Sequence, residues 1–289
     1  MAGLLNDQPL SSKASTHITI IVPCFGLSRE GENKLINTLG ILLSTSHYHL
    51  KILLVKNGQL SQYFDSRFLE LGSDKVAIVD NRKNNYYFNS LALGISSEIC
   101  TSDYYMILNQ DIELGLGFLI DNFLDNVTNY DTDRFYYAIT MPICLLASDP
   151  SKVNCTGLHK RGPVYSCTNY MASYTSIDKI SSWNIDYISG VCMIAHINAW
   201  KPIIANIGNW HAMYCEDIAI SYAAKELKID LLCDCTNPIL HSYKPVYKDR
   251  RKTLLYIKGY FRLLIFKLKT NKFVNWCSAL LRLELIRNV

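Results

Sequence analysis

The sequence predicts an α/β fold: a mostly parallel sheet flanked by helices, continued by a basic amphipathic helical tail. Three observations carry that prediction. Short apolar, β-branched runs alternate with segments of helical period through the first 112 residues, which is the pattern of right-handed βαβ units with a sheet covered on both faces. The runs end on polar, turn-forming clusters. Charge is also split along the chain. Residues 247–289 hold eleven Lys or Arg against two Asp or Glu, whereas the remainder holds 18 basic and 23 acidic residues, so the tail has a partner of its own.

Each element follows from its residues. HITIIVPCF (17–25) is a buried strand with proline near its end, leading into a loop. Residues 31–46 place Leu35, Ile36, Leu39, Leu42 and Leu43 at helical spacing. LKILLVKNG (50–58) is a second buried strand, stopped by Asn-Gly, and VAIVDN (76–81) is a third. NSLALGISSEI (89–99) has helical period, and YYMIL (104–108) is a fourth strand that runs straight into Asn109-Gln110-Asp111. Farther on, FYYAITMPICLL (135–146) and YISGVCMIAHI (187–197) read as strands. DIAISYAAKELKI (217–229) reads as an amphipathic helix opening on an acidic pair, and LLCDCTNPILHSY (231–243) as a strand followed by a loop.

In the tail, Leu254, Ile257, Phe261, Leu264, Ile265 and Leu268 share one helical face, and Arg251, Lys258, Arg262 and Lys269 form a stripe beside it. A helix of this kind lies in a membrane interface, where anionic lipid attracts each nearby cation by about 1 kcal/mol. The other reading is a helix packed on the domain with its lysines in water.

A chain of 289 residues, 49% hydrophobic and 19% charged, has ample material for a core. Its expected organisation is an N-terminal segment (1–16), one domain (17–246, divided near residue 112) and the tail (247–289). The N-terminus MAGLLNDQPLSSKAS lacks the basic start and apolar centre of a signal peptide. No apolar run reaches the roughly 18 residues of a transmembrane helix. Ten scattered cysteines, with Cys233 and Cys235 as the closest pair, read as reduced thiols of a cytoplasmic protein.

In open α/β sheets, ligands bind beyond the carboxyl ends of the strands. Four tips stand there: Pro23-Cys24-Phe25-Gly26, Lys56-Asn57-Gly58, Asp80 to Asn85, and Asn109-Gln110-Asp111. Neither G-x-G-x-x-G nor G-x-x-x-x-G-K-[ST] occurs, which argues against dinucleotide and P-loop sites. Asn57 offers both a donor and an acceptor to a nucleobase edge, and Phe25 can wall off a base. Arg82 and Lys83 can face phosphates. Asp111 can hold a divalent cation that bridges a diphosphate. Taken singly, a strand-end aspartate is more often a solvated turn residue.

The ordered series ITIIVPCF, ILLVKNG, NRKNNYYFNSLALGI and ILNQDIEL, followed by YISGVCMIAHINAW and GNWHAMYCEDIAISYAAKELKI, resembles glycosyltransferase family 2 over residues 17–243. It is most similar to the bacterial rhamnosyltransferase-like branch of O-antigen and polysaccharide synthesis. The resemblance implies a GT-A, Rossmann-like fold. It implies that Asn109-Gln110-Asp111 stands for the family's D-x-D-like motif, with Asp111 on the metal and Gln110 a spacer. It further implies that Asn57 meets the base, that Asn89 lines the donor pocket and that His241 helps hold the metal or diphosphate; Pro23, Phe25 and Arg82, read from the strand tips, complete the expected donor site. Glu216-Asp217 matches the family's E-D pair, with Asp217 the general base. The helix N-terminus there favours its ionised form. The plainer role for the pair is an N-cap and first-turn acid, and for His241 a loop histidine.

Trp210 and His211 either form an acceptor wall or simply pack. Lys56, Gly26, Tyr86 and Ala219 depart from the pattern, at positions where the family has Asp, Asn, Gly and Asp. Lys56 either contacts phosphate or solvates its loop.

The function implied is inverting, metal-dependent transfer of a sugar, with rhamnose from dTDP-rhamnose one candidate, to a lipid-linked saccharide. It would use Mg²⁺ or Mn²⁺, at the inner face of the cytoplasmic membrane, with the tail on the membrane surface and no nucleic-acid partner. The alternatives are a UDP-sugar transferase (galactose, galactofuranose or N-acetylhexosamine) of the same fold, an inactive sugar-binding protein, or a nucleotide-cofactor oxidoreductase.

Overall fold

A computed structural model describes residues 16–81, 86–97, 99, 101–114, 118–134, 137–161, 164–242 and 250–270. Its elements run in chain order as β1 (His17–Cys24), α1 (Arg29–Thr45), β2 (His49–Lys56), α2 (Gln62–Leu69), β3 (Val76–Asp80), α3 (Tyr86–Ser96), β4 (Tyr104–Leu108), β5 (Ile112–Leu114), α4 (Ile120–Arg134) and β6 (Ala138–Leu146). There follow β7 (Asp149–Cys155), β8 (Leu158–Arg161), β9 (Val164–Cys167), β10 (Trp183–Asn184), β11 (Cys192–His196), α5 (Ile197–Ile207), α6 (Glu216–Glu226), β12 (Asp230–His241) and α7 (Arg250–Thr270).

One sheet organises the molecule, in the order β10-β12-β6-β11-β4-β1-β2-β3, with β5 added to β12 and β7 to β6. The N-terminal half is parallel, as its apolar runs predict: β1 pairs in parallel with β2 and β4, and β2 with β3. The sheet as a whole is mixed, because β11 lies antiparallel between β4 and β6. β6 and β12 then run parallel to each other. These directions bring the ends of β1, β2, β4, β6 and β12 and the start of β11 to one edge. The central strands are buried on both faces, and β6 is buried along its whole length, as a doubly covered sheet requires.

Local chemistry sets the helix starts. Ser28 Oγ accepts from Gly31 N–H (3.2 Å) to open α1, and Ser61 Oγ accepts from Phe64 N–H (3.1 Å) to open α2. Glu32, buried in α1, accepts from both the N–H and the hydroxyl of Ser61 (3.0 and 2.7 Å), which ties the two helices together. α3 crosses β1 at Gly94, where an added Cβ would lie 2.5 Å from Ile21 Cδ1.

Two elements differ from the sequence reading. β12 does not give way to a loop after residue 235. It continues to His241 past a register shift between Asp234 and Ile239, where Asp234 accepts from the Thr236 and Asn237 side chains and from Thr236 N–H. A buried carboxylate thus satisfies the backbone where Pro238 leaves the ladder. The run 187–197 is a strand only over β11, because Ile188 to Val191 form the loop that enters the sheet. The tail is helical over α7, but its buried face is not the one formed by Leu254 and Phe261. Tyr256, Gly259, Leu263 and Phe266 turn inward.

Candidate active site

The antiparallel pairing of β5 with β12 sets Ile112 opposite His241. Asp111, one residue earlier, therefore sits beside that histidine, with Oδ1 3.6 Å from His241 Nε2. Asn109 N–H bonds to Val191 O (3.0 Å), so the tip of β4 is pinned to the loop entering β11. Behind that loop, Gly190 N–H donates to Asp217 Oδ2 (3.2 Å), and Ile218 N–H donates to Oδ1 (2.8 Å). Asn109, Asp111, His241, Glu216 and Asp217 all line one cavity of about 370 Å³ at the common strand edge. Tyr87, Asn154, Gly190, Tyr165, Lys252 and Tyr256 complete much of its wall.

Burial governs the acidic pair. It pushes the Asp217 carboxyl up to about 6, against the pull of its backbone donors. It pushes Glu216 up to about 8, with the neighbouring Asp217 charge adding to the rise. The helix N-terminus is expected to favour the ionised form of Asp217; desolvation opposes that and outweighs the backbone donors. Glu216 Oε2 is buried without a hydrogen-bond partner among the described residues. The pair is presented by a strained turn, since Tyr214 and Cys215 both hold left-handed backbone (φ 72° and 62°) just before α6.

The residues present fit a divalent cation. Asp111 and His241 offer a carboxylate oxygen and an imidazole nitrogen within reach of one ion, and Asn109 adds an amide beside them. No cluster of three or more His, Cys, Asp or Glu suited to a metal occurs among the described residues; Mg²⁺ is commonly held by one or two carboxylates together with phosphate oxygens and water. Asn154 Nδ2 lies 2.9 Å from His241 Nδ1, and Asn154 Oδ1 is buried without a partner among the described residues. Turning that amide over lets Oδ1 accept from Nδ1–H, which leaves Nε2 unprotonated toward Asp111.

The other expected residues fall elsewhere. Pro23 is buried within β1. Asn57 is buried, and its amide donates to Ser90 Oγ (2.7 Å). Gln110 is more than a spacer, because its Oε1 accepts from Phe25 N–H (2.8 Å) and joins the tips of β1 and β4. Asn89 Oδ1 accepts from Trp210 N–H (2.8 Å). None of these five lines the cavity. Arg82 and Lys83 lie outside the described residues.

The acceptor-wall expectation for Trp210 is corrected: the ring is 1% exposed and belongs to the core. His211 is exposed and lies away from the cavity. Lys56 pairs with Asp65 at 2.7 Å and its side chain is 13% exposed, so it does not simply solvate its loop. Tyr86 has φ 58°, so the position where the family has glycine does adopt the backbone that glycine favours. The eight described cysteines are free thiols, Cys233 and Cys235 included. Sequence reasoning missed Asn154, Tyr87, Tyr165, Lys252 and Tyr256. Only Lys252 carried a signal, as part of the basic tail.

Comparisons with known proteins place this architecture. No protein-family model and no curated protein matches the chain. Among solved structures it is similar to GalNAc-T7 with UDP, GalNAc and Mn²⁺, at 12% identity and a TM-score of 0.60, over 80% of this chain and 44% of that one. It is also similar to the mannosyltransferase PcManGT from Pyrobaculum calidifontis in complex with GDP-Man and Mn²⁺, at 13% identity and a TM-score of 0.54, over 86% and 64%. The chain thus spans roughly half of the length of one of these proteins and under two thirds of the other. What it shares with both is the fold: a GT-A type α/β sheet flanked by helices, as found in these nucleotide-sugar glycosyltransferases.

Proposed function

We propose that this protein is a metal-dependent, inverting glycosyltransferase that moves a hexosyl-type sugar from a nucleoside diphosphate donor to a lipid-linked saccharide. One observation carries the reading. A metal-competent pair, Asp111 and His241, and a buried acid pair, Glu216 and Asp217, face one cavity at the carboxyl edge of a GT-A sheet. Both solved relatives hold a nucleotide or nucleotide-sugar with Mn²⁺. Rhamnose from a dTDP donor is the sugar first expected from the sequence, with UDP-linked sugars the alternative. The basic tail suits an acceptor and an enzyme at the inner face of the cytoplasmic membrane.

The chain's own groups divide the work. Asp217, ionised above about pH 6, takes the proton from the acceptor hydroxyl as its oxygen attacks the anomeric carbon. The bond from that carbon to the diphosphate breaks, and its electron pair leaves with the diphosphate. Asp111 and His241 would hold a divalent cation, which when bound would supply positive charge beside the leaving diphosphate. Gly190 N–H holds the carboxylate of Asp217 in place. Glu216, neutral below about pH 8, can donate a hydrogen bond into the cavity.

A thermal-shift panel of dTDP, UDP, GDP and CDP, with and without Mn²⁺ or Mg²⁺, tests the donor half. One nucleotide should stabilise the protein only when metal is present, and release of the nucleoside diphosphate from a matching donor should then be measurable. A panel without any metal-dependent shift sinks the reading.

A further inference from the structure

Helix α7 has two working faces. Inward, Gly259 packs so closely that an added Cβ would lie 2.5 and 2.7 Å from the carbonyl oxygens of Tyr214 and Met213. Leu263 and Phe266 are buried beside it. The contact falls on the strained turn that presents Glu216 and Asp217. From the same face Lys252 and Tyr256 enter the cavity wall, and Lys267 Nζ donates to Tyr165 OH (2.9 Å), another wall residue.

Outward, Leu254 (67% exposed), Ile257, Phe261 (62%), Leu264, Ile265 and Leu268 (55%) form an apolar strip. It runs about 21 Å along the helix at 1.5 Å per residue. Described residues of the domain leave it uncovered, and no described helix is long and apolar enough to cross a membrane.

Charge selects the partner. The 21 residues of α7 include seven Lys or Arg and no Asp or Glu. Three of the cations, Arg250, Arg251 and Lys252, fall in the first turn, where they oppose the positive end of the helix dipole. Helix stability gives no reason for them; Lys252 belongs to the cavity wall, and an anionic surface gives a reason for Arg250 and Arg251. A second copy of α7 would set cations against cations. A bilayer interface with anionic headgroups accommodates both the apolar strip and the basic flank, on which Lys258 is exposed.

We propose that α7 lies in the interface of an anionic bilayer on its Leu254–Leu268 face while its opposite face walls the cavity. The cavity is thereby held at the membrane surface, where a lipid-linked saccharide presents its hydroxyl. The acceptor clause rests on the proposed transfer function; the lipid-binding clause does not.

Co-sedimentation of the full chain with phosphatidylglycerol-containing vesicles and with pure phosphatidylcholine vesicles tests it, alongside the Phe261→Glu/Leu268→Glu variant. Both substituted side chains are exposed, so the fold should persist, and an unchanged melting temperature checks that. The wild type should favour the anionic vesicles, and the variant should bind them at least about tenfold more weakly. Nucleotide binding with Mn²⁺ should be equal in the two proteins. Equal sedimentation of variant and wild type, or equal binding to neutral vesicles, overturns the proposal. So does a wild type that stays off all vesicles; a dimer that the variant dissociates would then assign the strip to a second copy. Vesicle binding without any nucleotide binding would fail the transfer reading and leave this surface standing.

Discussion

At the scale of the residue, Asp217 carries the sharpest predictions. Asp217→Asn should lower kcat at least about 10²-fold, the low end of what a positioned base contributes, with nucleotide affinity changed less than about twofold, as measured by steady-state kinetics and calorimetry. Its raised pKa sets the sign of the pH dependence: activity should be lost as pH falls through about 6, because the carboxylate gains a proton there. Above about 8 the neutral Glu216 ionises beside it, so a second, alkaline loss is expected, and Glu216→Gln should remove that limb alone. The two steps belong to the pair jointly. Asn154→Leu should weaken metal-dependent nucleotide binding about 10- to 100-fold, the usual effect of losing a group that orients a metal-bound histidine; metal titration against fixed nucleotide reads it directly. The acidic pair and the Asn109–Asp111 tip were legible as sequence motifs. Asn154 was not, since its partner His241 comes to it only through β6, which pairs with both β7 and β12. Trp210 misled for a related reason: an aromatic beside a site motif looks the same whether it faces ligand or core.

At the scale of the element, the parallel half was readable because a strand buried on both faces is an unbroken apolar run, as in β1, β2 and β4. α2, α4, β7 and the β8–β9 hairpin were not foreseen. Polar segments such as Ile120–Arg134 take their helical form from one docked face, here Ile120, Phe123, Leu124 and Val127, rather than from a strong periodic signal. Close approaches mark where elements are least tolerant. Gly94→Ala forces its new methyl against Ile21 and should destabilise the fold by about 1–3 kcal/mol, the range for overpacking, with Ile21→Val restoring part of the loss in denaturant melts. Gly259→Val meets backbone, which cannot swing aside as a side-chain methyl can. It should therefore lift α7 and lower kcat more than it raises the donor KM. Equal losses in both constants would show that the helix only stabilises the fold.

At the scale of the whole molecule, length, composition and strand-helix alternation implied one α/β sheet, and the architecture agrees. The antiparallel entry of β11 did not show in the sequence, because a strand's direction is set by where its connections run and not by its own residues. If the cavity binds a nucleotide with metal, ligand at about 100 times its dissociation constant should add about 2.7 kcal/mol to native stability; the melting temperature should rise with both components and with neither alone. The pairing of β5 with β12 has a consequence for synthesis. Asp111 is made early and His241 late, and only the docking of β12, near the end of the chain, brings them together. A ribosome-bound chain that has not yet released β12 lacks the Asp111–His241 pair. Cation-dependent nucleotide binding would therefore act as a clock for the last non-local step of folding, silent until the far strand has closed the sheet.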